Sequence, residues 1–202
     1  STDAGGRIQN ANGFDMMFST STTCASSLNF ENERYTSSTG ELVSWVNMPT
    51  ISTGTVIYMC YGNTAITTSQ QNATSTWNSN YQLVQHLEET AACATTFTDS
   101  TSNARNGSCN STPTATSTGK VDGARTFDGT DDNIPVSDFG PYNAFTVEGW
   151  AYRDSADTDR SYVGIVSKWS SGIGAEDEWF MGTHNGSHSY WIKGTAGSAN
   201  VD

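Results

Sequence analysis

Short apolar or alternating segments recur along the chain, separated by clusters of Gly, Asn, Asp, Ser and Thr. That is the spacing of a β-sandwich or barrel. The pattern predicts strands at 14–18, 28–35, 42–47, 55–61, 124–127, 133–136, 145–152, 162–169, 179–183 and 189–193. No segment demands a helix. One stretch is ambiguous: within 81–92, Leu83, Val84, Leu87 and Ala91 fall at helical spacing with Glu88 and Glu89 outward, yet the segment is as short as a strand. Asn185-Gly186, between His184 and His188, is the two-residue signature of a type I′ hairpin turn, which places both histidines at a solvent-facing turn. A polar stretch at 64–80 has only Ile66 and Trp77 as large apolar residues and reads as a boundary. The expected organisation is a partial β domain at 1–64, a linker at 65–80 and a larger β domain at 81–202. The polar run at 95–119 is too long for a simple hairpin, and loops of that length are usually functional or specially anchored.

Composition sharpens this picture. Among 202 residues, 21 are acidic and 9 basic, and only three are lysines, so the net charge is -12. Phosphate binding needs a basic surface, which excludes nucleic acid as a partner. No run approaches the roughly 18 apolar residues of a membrane helix, so no membrane insertion is expected. Serine and threonine number 55, with 19 glycines and 16 asparagines, the composition of a β-rich surface protein. The 22 aromatic residues argue against disorder in so polar a chain.

Two motifs carry a resemblance: Trp45-Val46-Asn47-Met48-Pro49-Thr50-Ile51 and Thr55-Val56-Ile57-Tyr58-Met59-Cys60-Tyr61-Gly62-Asn63. They resemble the end of a β-rich domain of unassigned function that often precedes laminin-G-like jelly rolls in bacterial and archaeal surface proteins. Five further motifs follow in order: Val84-Gln85-His86-Leu87-Glu88-Glu89, Asp99-Ser100-Thr101-Ser102-Asn103-Ala104-Arg105-Asn106-Gly107, Gly119-Lys120-Val121-Asp122-Gly123-Ala124, Phe127-Asp128-Gly129-Thr130-Asp131-Asp132 and Phe145-Thr146-Val147-Glu148-Gly149-Trp150. Together they resemble the first half of a laminin-G-like, concanavalin A-like jelly roll. The resemblance implies an all-β fold, a concanavalin-type jelly-roll sandwich with a smaller N-terminal β domain. It also implies a strand at 83–87. The family's closing strands after Trp191-Ile192-Lys193-Gly194 are missing, so the expectation is that a longer chain or a second copy supplies them by strand complementation.

The four cysteines allow three pairings, and none has the C-x-x-C spacing of a zinc or redox site. Cys24–Cys60 and Cys93–Cys109, one pair in each expected domain, is the reading that suits an exported class. Buried free thiols are the alternative. In the resembled family the loop at 99–107 is often a calcium site, which makes Asp99, Asn103, Asn106 and Asp128 the metal candidates; oxygen ligands on a bent loop suit that hard cation. The alternative is an Asx-turn loop in which Asp99 bonds its own backbone.

Glu176 and Glu178 have the i, i+2 spacing that puts two carboxyls on one strand face, as retaining glycan hydrolysis requires. The glucanase pattern E-x-D-x-E is not matched, and a solvated acidic turn beside Gly172 and Gly174 is the better reading. No serine sits in a G-x-S-x-G setting and the three histidines are scattered, so no catalytic residue is assigned. Among the tryptophans, Trp169 and Trp191 fall at strand ends and are the candidates for stacking on a sugar. The expected role is a non-catalytic adhesion or glycan-binding module of an extracellular or cell-surface protein. The alternatives are a structural subunit of an extracellular filament and a glycan-cleaving enzyme.

Overall fold

The computed structural model describes residues 6–90, 93, 96–116, 118–140, 142, 144–153, 162–168, 178–194 and 197–201. The chain is nearly all β, and its one described helix has four residues. It forms two compact units, Ser1–Ser137 and Asp138–Asp202.

The first unit is built from three antiparallel strand pairs. β1 (Met17–Ser19) pairs with β4 (Tyr58–Cys60), β2 (Phe30–Thr36) with β3 (Glu41–Val46), and β5 (Thr114–Thr116) with β6 (Ala124–Thr126). β2 and β3 form a hairpin closed by Gly40, whose φ of +77° only glycine adopts without strain and whose N–H reaches Thr36 O at 2.8 Å. On β2, successive side chains point to opposite faces. Phe30 turns to Phe18, edge to face at 5.2 Å, and is 1% exposed. Glu31 and Glu33 take the other face. Glu33 is the unpaired residue of a bulge between Asn32 and Arg34.

Residues 65–80, read as a linker from composition, carry the helix α1 (Ala73–Thr76) and the buried Trp77. Asn72 N–H reaches Phe30 O at 2.9 Å and Gln71 Oε1 accepts Asn32 N–H at 2.6 Å, so this stretch lines the edge of β2. From 81–137, Arg34 Nη1 donates to Val121 O at 2.9 Å, tying the hairpin to the later part of the same unit.

The second unit is a four-stranded antiparallel meander of β7 (Tyr162–Lys168), β8 (Glu178–His184), β9 (Ser187–Gly194) and β10 (Gly197–Val201). The β8–β9 turn is the expected one: Asn185 and Gly186 both have positive φ, +47° and +84°. Phe180 is buried on this sheet, and Trp179 packs against Phe145 at 5.4 Å. At the end of β7, Lys168 Nζ meets Asp138 Oδ1 at 3.0 Å and Phe139 O at 3.1 Å.

Three expected strands lie outside the ladders. At 83–87 no ladder forms: Val84 N–H goes to Asp99 Oδ1 and Val84 O accepts Ser100 N–H at 2.9 Å, so a loop stands where a strand partner would, and Leu87, with φ +58°, ends the run. At 133–136 one reciprocal bridge forms, Asn110↔Asn133; Ser108 N–H still reaches Pro135 O at 2.9 Å, but Pro135 has no N–H to return the bond, so no ladder develops. At 145–152 the alternation is real, but Trp150 is 76% and Tyr152 97% exposed, and alternation makes a strand only where a neighbour offers a ladder. β5, β10 and α1 were not expected.

Candidate functional site

The richest constellation lies on the β2–β3 hairpin. Glu31 and Glu33 flank the His86 imidazole: Glu31 Oε2 is 3.2 Å from Nε2, off the hydrogen-bond line, and Glu33 Oε1 is 3.4 Å from Nδ1. All three side chains are about a tenth exposed. Glu31 also accepts the Trp77 indole N–H at 2.7 Å and the Ser100 hydroxyl at 2.6 Å. Glu33 Oε2 accepts the Trp45 indole N–H at 2.6 Å. Trp45 stands opposite Glu31 in the ladder, so its reach to Glu33 is a diagonal cross-strand contact.

Three rings form a continuous surface over this ionic base. Trp77 lies 5.2 Å from Trp45 and 4.9 Å from Tyr81 between centroids. Trp77 is 9% exposed, whereas Trp45 and Tyr81 are 42% and 44% exposed. The rings touch one another, so no cage for a cation opens between them; the outer two instead offer faces to solvent.

Burial alone would raise the Glu31 carboxyl, but His86, Ser100 and Trp77 all favour its charged form and hold it below the usual carboxylate range. Burial alone would drive the proton from His86, but Glu31, then Glu33 and Glu88, outweigh it and raise the imidazole. Glu88 is raised, by burial first and by Asp122, Glu33 and Glu89 after it, against the opposing charge of His86.

The 97–107 loop positions this site. It is closed at the neck by reciprocal Phe97–Gly107 backbone bonds of 2.9 and 2.7 Å, and outside them by the Cys93–Cys109 disulfide. A Cβ on Gly107 would meet Ile134 Cγ2 at 2.5 Å, so that neck requires glycine. Asp99, 4% exposed, is the hub. Its Oδ1 accepts Val84 N–H and Thr101 N–H, each at 3.0 Å; its Oδ2 accepts Thr101 Oγ1 at 2.9 Å and Arg105 N–H at 2.8 Å. Four donors converge on this carboxylate, the arrangement of an Asx-turn hub. Asn106 Oδ1 accepts Asp99 N–H, and Asn103 Nδ2 donates to Tyr81 O and Gln82 O. These residues hold the His86 segment and Ser100 in place.

Asp128 belongs to a different group. With Asp131 and Asp132 it brings three carboxylate oxygens within 4.8 Å of one another. Asp132 also accepts Thr112 N–H and Asp128 N–H. Trp169 and Glu176 lie outside the described residues; the backbone of Trp191 lies in β9, opposite Phe180. The disulfides are Cys24–Cys60 and Cys93–Cys109. No described helix is long and apolar enough to cross a membrane.

Sequence reasoning did not find the Glu31–His86–Glu33 cluster. Two signals pointed to it: acids at i and i+2 in a strand beginning with Phe30, and a histidine inside the apolar run 83–87. Replacing Asp99 by Ala strands four donors, and we expect the first unit to lose about 3 kcal/mol. Urea unfolding followed by tryptophan fluorescence checks this; a loss below about 1 kcal/mol would contradict the hub role.

Comparison of the chain with family models, curated proteins and solved structures returns no match. The functional reading therefore rests on the site itself.

Proposed function

We propose that the chain is a non-catalytic glycan-binding module of an extracellular or cell-surface protein, of the laminin-G-like, concanavalin-type class its motifs resemble. The observation that carries this is the Trp45–Trp77–Tyr81 surface. Two solvent-facing rings are held by a buried third, whose indole N–H is fixed by Glu31. Flat aromatic faces pack on the C–H faces of pyranose rings, and aromatic side chains that are rigid beforehand lose little freedom on binding. The net charge of -12 favours neutral over anionic sugars. Two disulfides fit an oxidising compartment.

Glu31 and Glu33 are a same-face carboxylate pair, the one feature that favours glycan cleavage instead. A glycosidase acid needs a raised pKa, whereas Glu31 is held low and its oxygens are already occupied. Binding is therefore the better reading. Calcium remains part of the proposal only at the Asp128–Asp131–Asp132 turn, where clustered charge would be relieved by a cation.

Titration calorimetry with cellohexaose, mannohexaose and chitohexaose tests the main reading. We expect one of these to bind, and Trp45→Ala or Tyr81→Ala to weaken it tenfold or more, roughly 1.4 kcal/mol. Tyr152→Ala, fully exposed in the other unit, should leave it unchanged. Binding that survives both ring deletions, or binding to none of the three, would reject the proposal.

A filament subunit is the second reading, favoured by β4. It pairs only with β1 among the described residues, and its neighbours Val56, Ile57 and Tyr61 are exposed. Such an edge can accept a strand from another copy. Sedimentation velocity on the same samples separates the two readings, since a monomer at all concentrations leaves no place for the filament.

A further inference from the structure

The rings and the ionic base beneath them are mechanically one unit. Glu31 holds the Trp77 indole, Glu33 holds the Trp45 indole, and His86 stands between the two carboxylates. We propose that the proton on His86 latches the aromatic surface: protonated, it holds both carboxylates and through them both indoles, and its loss releases them. This is regulation of the glycan site assigned above, and its effect on affinity rests on that reading.

The geometry leaves little alternative to coupling. With His86 charged, the cluster of two carboxylates and one imidazolium carries a single net negative charge. Without the proton, two carboxylates only a tenth exposed face each other across a neutral ring. Uncompensated buried charge is strongly unfavourable, and the carboxylates relieve it by swinging toward solvent. Each then drops the indole N–H it was accepting.

The largest charges acting on His86 are acidic, Glu31 and Glu33 from β2 and Glu88 from its own segment, while the cations nearby pair with other acids, Arg34 with Glu41 at 3.0 Å and Arg125 with Glu89 at 3.7 Å. Asp122 and Glu89 add negative charge around Glu88. The Trp77 ring faces the imidazole at 6.4 Å, and Ser100 bonds Glu31 from behind. These neighbours place the folded pKa of His86 above its ordinary value, so the latch is closed through the mildly acidic range and opens as pH rises past that folded value. At the acid end, Glu31 stays charged to below the usual carboxylate range and keeps the latch closed until it too is protonated.

A surface that binds only when latched has an apparent Kd that grows as the latched fraction shrinks, by up to about tenfold per pH unit above the His86 midpoint. The test needs no sugar. The indole N–H resonances of Trp45 and Trp77 and the His86 ring C–H are followed by NMR from about pH 5 to 9. The latch requires both indole signals to titrate with the His86 midpoint, and the indole transitions to vanish in His86→Gln. Glu88→Gln is the second variant, in case His86→Gln does not fold: it removes an acidic neighbour, so the His86 midpoint and both indole midpoints should fall together. Indole signals that do not move, or whose midpoints stay while that of His86 shifts, would overturn the latch. The glycan reading fails separately: indoles that titrate in a protein binding none of the three hexasaccharides leave the latch standing and remove its ligand. Binding that is strong and flat with pH, with silent indoles, does the reverse.

Discussion

Replacing Glu31 by alanine is expected to lower the unfolding free energy of the first unit by about 3 to 5 kcal/mol, the usual cost of removing one partner from a buried ion pair. Two donors lose their acceptor and His86 loses a counter-charge at once. The Trp77 N–H and Ser100 O–H are left buried, and protonated His86 keeps only Glu33. The cost falls on three segments, because Glu31 is where β2, the residues after α1 and the 97–107 loop meet. Two comparisons make the experiment specific. Glu31→Gln keeps an acceptor for one donor while removing the charge, so its cost should shrink at alkaline pH, where His86 has lost its proton. Glu41→Ala breaks the Arg34–Glu41 pair at 3.0 Å, but those side chains are 35% and 50% exposed, so no more than about 1 kcal/mol is expected. Urea unfolding monitored by tryptophan fluorescence would measure all three. A Glu31→Ala protein within 1 kcal/mol of the parent would mean that the cluster does not organise the unit.

The pH dependence has a definite sign on each side. Glu31 has a lowered folded pKa, so its contribution is present above its unfolded value and is lost as pH falls through the folded one. His86 has a raised folded pKa, so its contribution is full below its unfolded value and is lost as pH rises through the folded one. Glu88 has a raised folded pKa, so its contribution is full below its unfolded value and is lost as pH rises through the folded one, offsetting part of the gain from Glu31. The Glu31 and His86 contributions are therefore both full only between the ordinary, unfolded value of Glu31 and that of His86, and fade on either side toward the folded values.

The strands that were legible in the sequence are those whose alternation found a partner nearby in the chain. The Phe30–Thr36 and Glu41–Val46 hairpin and the β7 to β9 meander needed only short turns, and Asn185-Gly186 announced one of them. Where pairing depended on a side chain, periodicity could not report it. Residues 83–87 look like a strand, but what holds Val84 is a loop: its N–H goes to the Asp99 carboxylate, fifteen positions on, and its carbonyl accepts Ser100 N–H. Asp99 gathers N–H and O–H donors, and the residue types that do so are the same ones that suit a cation, so the sequence pattern alone does not separate the two roles. The aromatic site was illegible for a different reason. Trp45, Trp77 and Tyr81 sit in three segments, one of them in a stretch so polar that it read as a linker, and only tertiary contact makes them a surface. Trp77 in that stretch was the clue, since a lone large aromatic in a polar run needs somewhere to be buried.

Removing the Cys24–Cys60 bridge with paired serine substitutions is expected to cost roughly 3 to 4 kcal/mol, from the 36-residue separation it closes. In melting temperature that is a fall of about 10 °C for a unit of this size. The effect should be large because the local structure has little else to rely on. β1 and β4 have three residues each, and isolated two-stranded pairs are marginal in water. The fully buried side chains of the first unit are few, with Met16, Phe30 and Phe97 the largest apolar ones. A further tie at this end is Asp15, 1% exposed, which accepts Gln9, Asn10 and Gly62 N–H at 2.8, 3.0 and 2.9 Å. Burial would raise that carboxyl, but the backbone donors hold it low, so this tie, like that of Glu31, weakens in acid. Loss of both bridges together approaches the whole stability of a typical domain, about 5 to 15 kcal/mol, so a fully reduced protein should lose the first unit's fold at room temperature. Far-UV circular dichroism with and without reductant, beside non-reducing peptide mapping, decides it. Four free thiols in the mapped protein, or a melt unmoved by reductant, would remove both the crosslinks and the physical reason for placing this chain in an oxidising compartment. A melt that collapses on reduction would mean that such a compartment is a condition of folding.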